Sequence, residues 1–500
     1  MKEKYETLLN KIKEIRVIGQ ISQILGWDQE VVMPKGSVIQ RSEQQAYVAQ
    51  LSHMKQTDPA IGKLLKEIKE DPDYETLGYQ GKRNIYLMQR DYDRATKIPP
   101  EFVIEYTKAS VIATEKWKEA KAKEDFTIFK PHLEKQFGLA QQYANYLNPD
   151  LPAYEVLLDL YEPGMTIEQY NVIFTPLREA TVELLSKIQQ SEKKPNISLI
   201  RREVPIELQE KLSLELMKLL NFDMTRGRVD QSAHPFTGGE YDDIRITTRY
   251  TLDEFTSSLF AVMHETGHAC YEQNLPEDTK YQPISNYCSM GVHESQSRFY
   301  ENIIGRSKSF WWFYFEKFKQ QMKGIFDDVT YDDFILAVNA VQPSFIRVEA
   351  DEVTYNLHII LRFEIERDLF EGKIKVDELP EVWNKKMKEM LGVEVDKISN
   401  GVLQDIHWSG GSFGYFPTYT LGNVYGAQFF VQMVKEIPDW NEKLEKGDIA
   451  SLTDWLVKNV HQKGNLYDPP ELVKEVTGEL PNPNYLIKHL NDKYSYLYGF

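Results

Sequence analysis

The sequence predicts a mainly α-helical protein with one small β-sheet. Apolar residues recur at helical spacing through most long segments, whereas strand-forming residues concentrate between positions 228 and 250. No internal repeat or low-complexity tract occurs, which argues against a solenoid. A chain of 500 residues can bury a substantial core. We therefore expect one structural unit across residues 1–500.

Helices are expected along the first part of the chain. Residues 1–70 have a helical pattern with a break at 33–36, where the sequence is Met-Pro-Lys-Gly, and a new helix starts from Gln40. Proline-containing segments at 99–100 and 148–152 mark further helix boundaries. These segments predict successive helices joined by turns.

The composition changes between Arg228 and Tyr250. This stretch contains Gly238-Gly239 and the β-branched residues Ile244 and Ile246, which favour short strands. A small sheet is therefore expected inside an otherwise helical protein.

Three helices are predicted after the strands. The first is capped by Thr251 or Asp253 and extends to about Asn274, before a Leu-Pro pair that stops it. The second spans Val292–Tyr300 and continues beyond it, and the third, a long one, spans about Ser344–Phe370.

Composition and charge exclude several classes of protein. Lys and Arg total 59 against 76 Asp and Glu, a formal charge of −17, which disfavours a nucleic-acid partner. No apolar run approaches the roughly 20 residues that span a bilayer. The first 14 residues lack the features of a secretory signal, and only Cys270 and Cys288 are present. We expect a cytoplasmic protein with reduced thiols and no membrane partner.

The clearest chemical signal is the segment 264–268, His-Glu-Thr-Gly-His. His264 and His268 lie four positions apart, so on a helix they share one face and can bind a single ion, with Glu265 beside the metal-bound water. The alternative is an ordinary pair of surface or capping histidines, but the flanking residues are largely apolar. Gly267 destabilises a helix interior by about 1 kcal/mol relative to alanine, which indicates a close approach of backbone or substrate.

A catalytic zinc needs a third protein ligand and an open position for water. Glu294 begins the next predicted helix, 26 residues beyond His268, and is our candidate for that ligand. Zinc lowers the pKa of its bound water to about 7, and Glu265 would take the proton as the water attacks a carbonyl. The predicted reaction is amide hydrolysis, with zinc first among the possible metals and cobalt or manganese as alternatives.

Groups that stabilise the developing oxyanion are expected in the aromatic- and glycine-rich stretch Asp405–Gly426. It contains His407, Tyr415 and Tyr419, of which Tyr419 is the first choice and Tyr415 the second. The alternative for each is aromatic core packing beside glycine turns.

Several separate motifs together indicate a family. In chain order they are Leu25-Gly26-Trp27-Asp28 with Met33-Pro34, His234-Pro235-Phe236, Asp243-Ile244-Arg245-Ile246-Thr247, the segment 264–268, His293-Glu294-Ser295-Gln296, Ile346-Arg347-Val348-Glu349-Ala350-Asp351-Glu352, and Gly401-Val402-Leu403-Gln404-Asp405-Ile406-His407-Trp408. With these motifs the chain resembles, nearly end to end, the carboxypeptidase Taq family of metallocarboxypeptidases.

The resemblance implies a saddle-like helical body of two lobes around a deep groove, similar in shape to neurolysin and angiotensin-converting enzyme. It further implies a homodimer that uses zinc or cobalt, with the metal-binding core at about residues 228–430. The substrates would be peptides with a free C-terminus, from which single amino acids are removed with broad specificity and poor action next to proline.

Such a specificity requires a receptor for the substrate carboxylate. Arg347 is our candidate, because a guanidinium can bind a carboxylate through two hydrogen bonds; the alternative is a helical ion pair with Asp351. Arg245 is a second candidate; the equal alternative is that it braces the short strands beside the groove, paired with Asp243 or another carboxylate. His234 would line the groove or have a structural role.

The resemblance also implies that His407 contacts the substrate backbone. Two rival functions stay open at this point. One is an endo-acting oligopeptidase with the same metal chemistry, and the other is a binding protein with a structural metal and no turnover. Glu265 argues against the latter, because a structural site needs no base.

Overall fold

The computed structural model describes residues 1–500. Its α-helices are α1 (Lys2–Val31), α2 (Val38–Gln56), α3 (Pro59–Lys69), α4 (Gly78–Lys97), α5 (Pro100–Lys123), α6 (Phe126–Leu147), α7 (Ala153–Asp159), α8 (Ile167–Gln190), α9 (Ile206–Leu219), α10 (Phe255–Gln273), α11 (Met290–Arg298), α12 (Lys308–Gln321), α13 (Tyr331–Val338), α14 (Thr354–Phe370), α15 (Leu379–Leu391), α16 (Pro417–Glu436), α17 (Trp440–Glu445), α18 (Ala450–Asn459), α19 (Pro469–Thr477) and α20 (Asn484–Tyr498). The strands are β1 (Gly227–Gln231), β2 (Phe236–Glu240) and β3 (Asp243–Thr248). The predicted fold class, mainly helical with a small sheet, is confirmed.

The sheet has β3 at its centre. β3 pairs in parallel with β1 and antiparallel with β2, so β2 forms one edge. Ile244 and Ile246 are fully buried, and both lie on the face of β3 that packs against α10. Arg245 lies between them and therefore points to the opposite face of the sheet.

Two hydrophobic clusters organise the helices. The larger has 101 buried residues and extends along the chain from Ile98 to Tyr498. The smaller has six, all from α1, α3 and α4, and α2 contributes no buried residue. The helices α1, α3 and α4 thus pack around a core of their own. None of the helices combines the length and apolar character needed to cross a bilayer.

The helix α10 has the metal motif at its middle, and it packs against the sheet, α9 and α11. It ends at Gln273, close to the predicted position, but it begins at Phe255 with no side-chain cap. The predicted caps Thr251 and Asp253 are therefore wrong. Burial of nearly the whole helix from Ser258 onward stabilises it in place of a cap.

The helix α14 begins ten residues later than the sequence predicts, at Thr354 rather than Ser344. The carboxylate of Asp351 accepts hydrogen bonds from the backbone N–H groups of Val353 and Thr354, both at 3.0 Å, and so fixes the turn that leads into the helix. The preceding chain is held outside the helix by Gln404, whose Oε1 accepts from the backbone N–H of Arg347 at 3.0 Å. The alternative of a helical ion pair between Arg347 and Asp351 is therefore wrong.

Candidate active site

Three of the predicted side chains converge between α10 and α11. The Nε2 atoms of His264 and His268 lie 3.7 and 3.4 Å from Oε2 of Glu294, and one donor atom from each residue lies within 4.8 Å of the others. Two imidazoles and a carboxylate are a donor set that binds zinc, cobalt or manganese. Three protein ligands also leave a coordination position for water or substrate. The residues present therefore fit a catalytic divalent cation.

Two glycines allow these helices to come close enough. A Cβ atom on Gly267 of α10 would lie 2.5 Å from the carbonyl oxygen of Gln296 in α11. A Cβ atom on Gly422 of α16 would lie 2.5 Å from Cγ of Glu294. The close approach indicated by Gly267 is thus an approach of backbone, and both glycines set the position of the carboxylate donor.

Further polar groups fix the orientation of two of the donors. Oε2 of Glu301 lies 2.9 Å from Nδ1 of His264, which leaves Nε2 of that ring free for a metal. Arg298 donates from Nε to Oε1 of Glu294 at 2.7 Å and from Nη1 to Glu301 at 3.0 Å. Glu301 lies in a π-helical turn, Phe299–Ile304, that continues α11.

His268 has a different partner. Its Nδ1 lies 2.6 Å from Nδ1 of His293, and Nε2 of His293 lies 2.9 Å from Oε1 of Glu272. Burial lowers the pKa of His268 to about 3, so the ring is neutral, as a metal ligand must be. For His264, burial acts in the same direction, but Glu294 and Glu301 outweigh it and raise the pKa.

Glu265 lies beside the donors and is bound by the edge strand. Thr237 of β2 donates to Oε2 of Glu265 at 2.7 Å. Burial raises the pKa of Glu265, and the neighbouring His264 opposes the shift only in part. A carboxylate made more basic in this way is suited to accept a proton near neutral pH.

Arg347 lies in a short 3₁₀ turn and is buried. Its Nε and Nη2 donate to Oδ1 of Asp405 at 3.0 and 2.9 Å, while Arg362 donates to Oδ2 at 2.8 and 2.6 Å. Burial alone would raise the pKa of Asp405, but the two guanidinium groups hold it well below its usual range. Two cations thus share one carboxylate, and the cluster retains a net positive charge.

Tyr355 connects this cluster to the metal donors. Nη1 of Arg347 lies 3.4 Å from the Tyr355 hydroxyl, and the face of the Tyr355 ring lies 4.2 Å from the guanidinium carbon of Arg298. Because Arg298 also binds Glu294, only Tyr355 and Arg298 separate Arg347 from a metal donor. The positive cluster therefore borders the site.

Tyr415 and Tyr419, the residues predicted to stabilise the oxyanion, lie on the same side of the site as Arg347. The rings of Tyr415 and Tyr419 meet edge-on with centroids 5.4 Å apart, and the guanidinium of Arg347 lies 5.1 Å from the Tyr419 ring centre. Burial raises the pKa of both tyrosines, so both hydroxyls remain protonated donors. The ring of His407 lies 5.5 Å from that of Tyr415, its pKa is lowered by burial to about 4, and its buried Nδ1 has no partner.

His234 and Arg245 lie apart from this group. His234 is exposed, and only its backbone carbonyl accepts hydrogen bonds. Arg245 pairs with Asp243 at 2.7 Å, which is the ion pair expected if Arg245 has a structural role. Its guanidinium carbon also lies 4.5 Å from the ring centre of Trp27. It also lines a cavity of about 590 Å³ between α1 and the sheet. Neither residue forms a hydrogen bond or ion pair with the metal donors.

From the sequence alone, no role was assigned to the residues that orient the predicted ones. These are Thr237, Glu272, His293, Arg298, Glu301, Tyr355, Arg362 and Asp405. A signal existed for Arg298 and Glu301, because they follow Glu294 by four and seven positions and so share its helix face. For Thr237 and Glu272 the contact depends on tertiary packing alone.

In this helical protein two imidazoles and a carboxylate converge beside a buried glutamate. This combination defines the class of metallopeptidases. The model of the Carboxypeptidase Taq (M32) metallopeptidase family matches residues 7–494. The chain is 39% identical over 505 aligned positions to thermostable carboxypeptidase 1 of Thermus thermophilus, covering 99% of each chain. It is 40% identical over 496 positions to that of Pyrococcus furiosus, covering 98% of each.

A solved structure agrees with these sequence relatives. The M32 carboxypeptidase from Deinococcus radiodurans R1 superimposes with a TM-score of 0.96 at 35% identity over 100% of both chains. The chain belongs to the carboxypeptidase Taq (M32) family, and it is a metal-dependent carboxypeptidase.

Proposed function

We propose that the enzyme removes single amino acids from the C-terminus of peptides, with His264, His268 and Glu294 holding a divalent cation. The observation that carries this proposal is the net positive cluster of Arg347, Arg362 and Asp405 beside the metal donors. A buried positive charge at this position is suited to neutralise the carboxylate at the end of a peptide. An enzyme that cuts internal bonds has no use for it.

The contacts of Arg347 indicate how it would bind that carboxylate. Asp405 occupies its Nε and one proton of Nη2, so the end of the guanidinium formed by Nη1 and Nη2 is the part that can face a substrate. The one other hydrogen bond at this end of the guanidinium is the long contact of 3.4 Å from Nη1 to the hydroxyl of Tyr355. Asp405 fixes the orientation of the group, and Arg362 supplies the charge that prevents full neutralisation.

A cation held by His264, His268 and Glu294 would supply a Lewis acid for the scissile carbonyl and for a water molecule. Glu265 would accept a proton from water and return it to the leaving amine. Thr237 holds the Glu265 carboxylate in place, and burial makes it more basic. Tyr419, with Tyr415 second, donates a hydrogen bond to the carbonyl oxygen as its negative charge develops.

His407 and Arg245 receive subsidiary roles in this proposal. His407 is neutral and has a free ring nitrogen, so it can accept or donate one hydrogen bond to the substrate backbone. Arg245 lines the cavity beside β2, which offers room for a more distant part of the peptide. His234 is exposed, and a structural role is the better interpretation for it.

We infer that the metal is zinc. Cobalt and manganese are alternatives, because the donor set of two imidazoles and a carboxylate binds all three. Buried free thiols at Cys270 and Cys288 support a reducing, cytoplasmic environment. The family resemblance supports a homodimer in which each chain is one two-lobed peptidase with its metal core at about residues 228–430. Light scattering of the purified protein tests the dimer.

The rival endo-acting oligopeptidase shares every step except the use of Arg347. A binding protein with a structural metal is disfavoured by Glu265, because that buried carboxylate is not a ligand and would have no task. The proposal is tested by removing the metal with a chelator and following a peptide by mass spectrometry. Loss of single-residue release, and its recovery on adding zinc or cobalt, is expected.

A further inference from the structure

His293 is the first residue of a family motif, yet its side chain is not among the three donor groups. Its partly exposed ring packs against Tyr271 and Tyr287, whose ring centres each lie 5.1 Å away, and it lies between His268 and Glu272. The distances along this row are 2.6 Å from His268 Nδ1 to His293 Nδ1 and 2.9 Å from His293 Nε2 to Glu272 Oε1.

When both rings are uncharged, the contact between the two Nδ1 atoms allows two arrangements of a single shared proton. In the first, His268 carries its proton on Nδ1 and donates it to His293, so Nε2 of His268 has a free lone pair. In the second, His293 donates, and the proton of neutral His268 must then reside on Nε2. That nitrogen is the one that faces Glu294, at 3.4 Å. The second arrangement therefore blocks the metal position.

Glu272 favours the first arrangement, in which a cation can lie between Nε2 of His268 and Glu294. In the first, neutral His293 carries its proton on Nε2, where Oε1 of Glu272 accepts it. In the second, Nε2 of His293 has a lone pair directed at a carboxylate oxygen, which is repulsive. A carboxylate at position 272 thus favours the arrangement in which His268 can bind a metal.

We propose that Glu272 and His293 are positioning residues that hold His268 in its metal-binding tautomer. The two imidazoles proposed to bind the metal are then supported differently: Glu301 contacts His264 directly, whereas Glu272 acts on His268 through His293. This inference rests on the proposed metal site at His264, His268 and Glu294. Groups of this kind typically change metal affinity about 10- to 100-fold when removed.

The experiment measures zinc affinity of the full chain by competition with a chelator. We expect Glu272→Gln to weaken binding about 10-fold and His293→Phe about 10- to 100-fold. Glu364→Gln is the matched control, because Glu364 and Glu272 each have 8% side-chain exposure but Glu364 pairs only with Arg178 and Lys386. It should bind zinc as the unaltered protein does.

A second readout separates positioning from general instability. The visible absorption spectrum of the cobalt-loaded protein should shift in Glu272→Gln and in His293→Phe, because both substitutions alter the geometry at His268. It should stay unchanged in Glu364→Gln. Should His293→Phe fail to fold, the isosteric Glu272→Gln variant still decides. Zinc affinity and cobalt spectrum unchanged in folded Glu272→Gln would overturn the inference.

The outcome is distinguishable from failure of the proposed function. If the unaltered protein binds zinc and releases C-terminal residues while the variants match it, the function stands and the positioning role is lost. If the unaltered protein binds no divalent metal, the proposed site itself is wrong.

Discussion

The hydroxyl of Thr237 lies 2.7 Å from Oε2 of Glu265 and 3.0 Å from the backbone carbonyl oxygen of the same residue. The edge strand β2 and the metal helix α10 are therefore joined at the proposed general base. A hydrogen bond to a charged group contributes about 1.5–3 kcal/mol, so this contact is strong enough to set the position of the carboxylate.

Replacing Thr237 by valine keeps the shape of the side chain and removes this hydrogen bond. We expect kcat to fall about 10-fold with little change in KM, since the base is misplaced while the substrate contacts remain. Thr248→Val is the control, because the buried hydroxyl of Thr248 in β3 has no hydrogen-bond partner. Equal kcat values for both variants and the unaltered enzyme would contradict the role of Thr237.

The variant Glu265→Gln tests the base itself. Glu265 is not a donor in the three-residue metal site, so metal content should remain nearly that of the unaltered protein. The loss of a proton acceptor should lower kcat by a factor of about 10² to 10⁴. Elemental analysis and kinetics on the same preparation provide the two readings. Loss of the metal would instead assign Glu265 a ligand role.

Arg347→Lys preserves the charge but not the planar pair of donors. Because a lysine cannot bind Asp405 and a substrate carboxylate in the same geometry, kcat/KM for free-acid peptides should fall about 10- to 100-fold. Arg178→Lys, at a partly exposed ion pair with Glu364, is the control and should leave kcat/KM unchanged. An unchanged value for Arg347→Lys would remove the assigned carboxylate receptor.

The lowered pKa of Asp405 predicts how the free energy of unfolding depends on pH. Its pKa is lowered in the folded state by Arg362 and Arg347, which outweigh its burial, so its stabilising contribution is present above the unfolded pKa of about 3.9. That contribution is lost as pH falls through the lower folded value. Asp405→Asn leaves two buried cations unpaired and should reduce the free energy of unfolding by about 3–5 kcal/mol at neutral pH.

The measurement is the unfolding temperature of both proteins from pH 8 to pH 3. The difference between them should be constant above pH 5 and shrink below about pH 4, where this carboxyl begins to protonate in the unfolded state of the unaltered protein. A difference that grows on acidification would have the wrong sign and would contradict the assigned ion cluster.

The convergence of His264, His268 and Glu294 could be predicted because their spacing carries the geometry. His264 and His268 lie one helical turn apart, and a carboxylate at the start of the next helix can reach them. The helix that contains them was also predictable, apart from its first residues. There the sequence offered two capping residues, and tertiary burial made neither of them necessary.

The surroundings of Arg347 could not be predicted in the same way. A helix from Ser344 placed Arg347 and Asp351 one turn apart, a local interpretation that ignored a competing partner 58 positions away. Asp405 and Gln404 come from a distant segment, and their contacts hold Arg347 outside the helix. Local spacing describes contacts within one element, whereas these depend on how α14 and the chain before α16 pack together.

Exopeptidase action directed by the substrate carboxylate is the central feature of the proposed function. It is tested most directly by incubating the zinc-loaded enzyme with one peptide in two forms, free acid and C-terminal amide, and following both by timed mass spectrometry. We predict that the free acid loses residues one at a time from its C-terminus while the amide remains intact. Internal fragments, formed at similar rates from both peptides, would contradict the account and favour an endo-acting oligopeptidase.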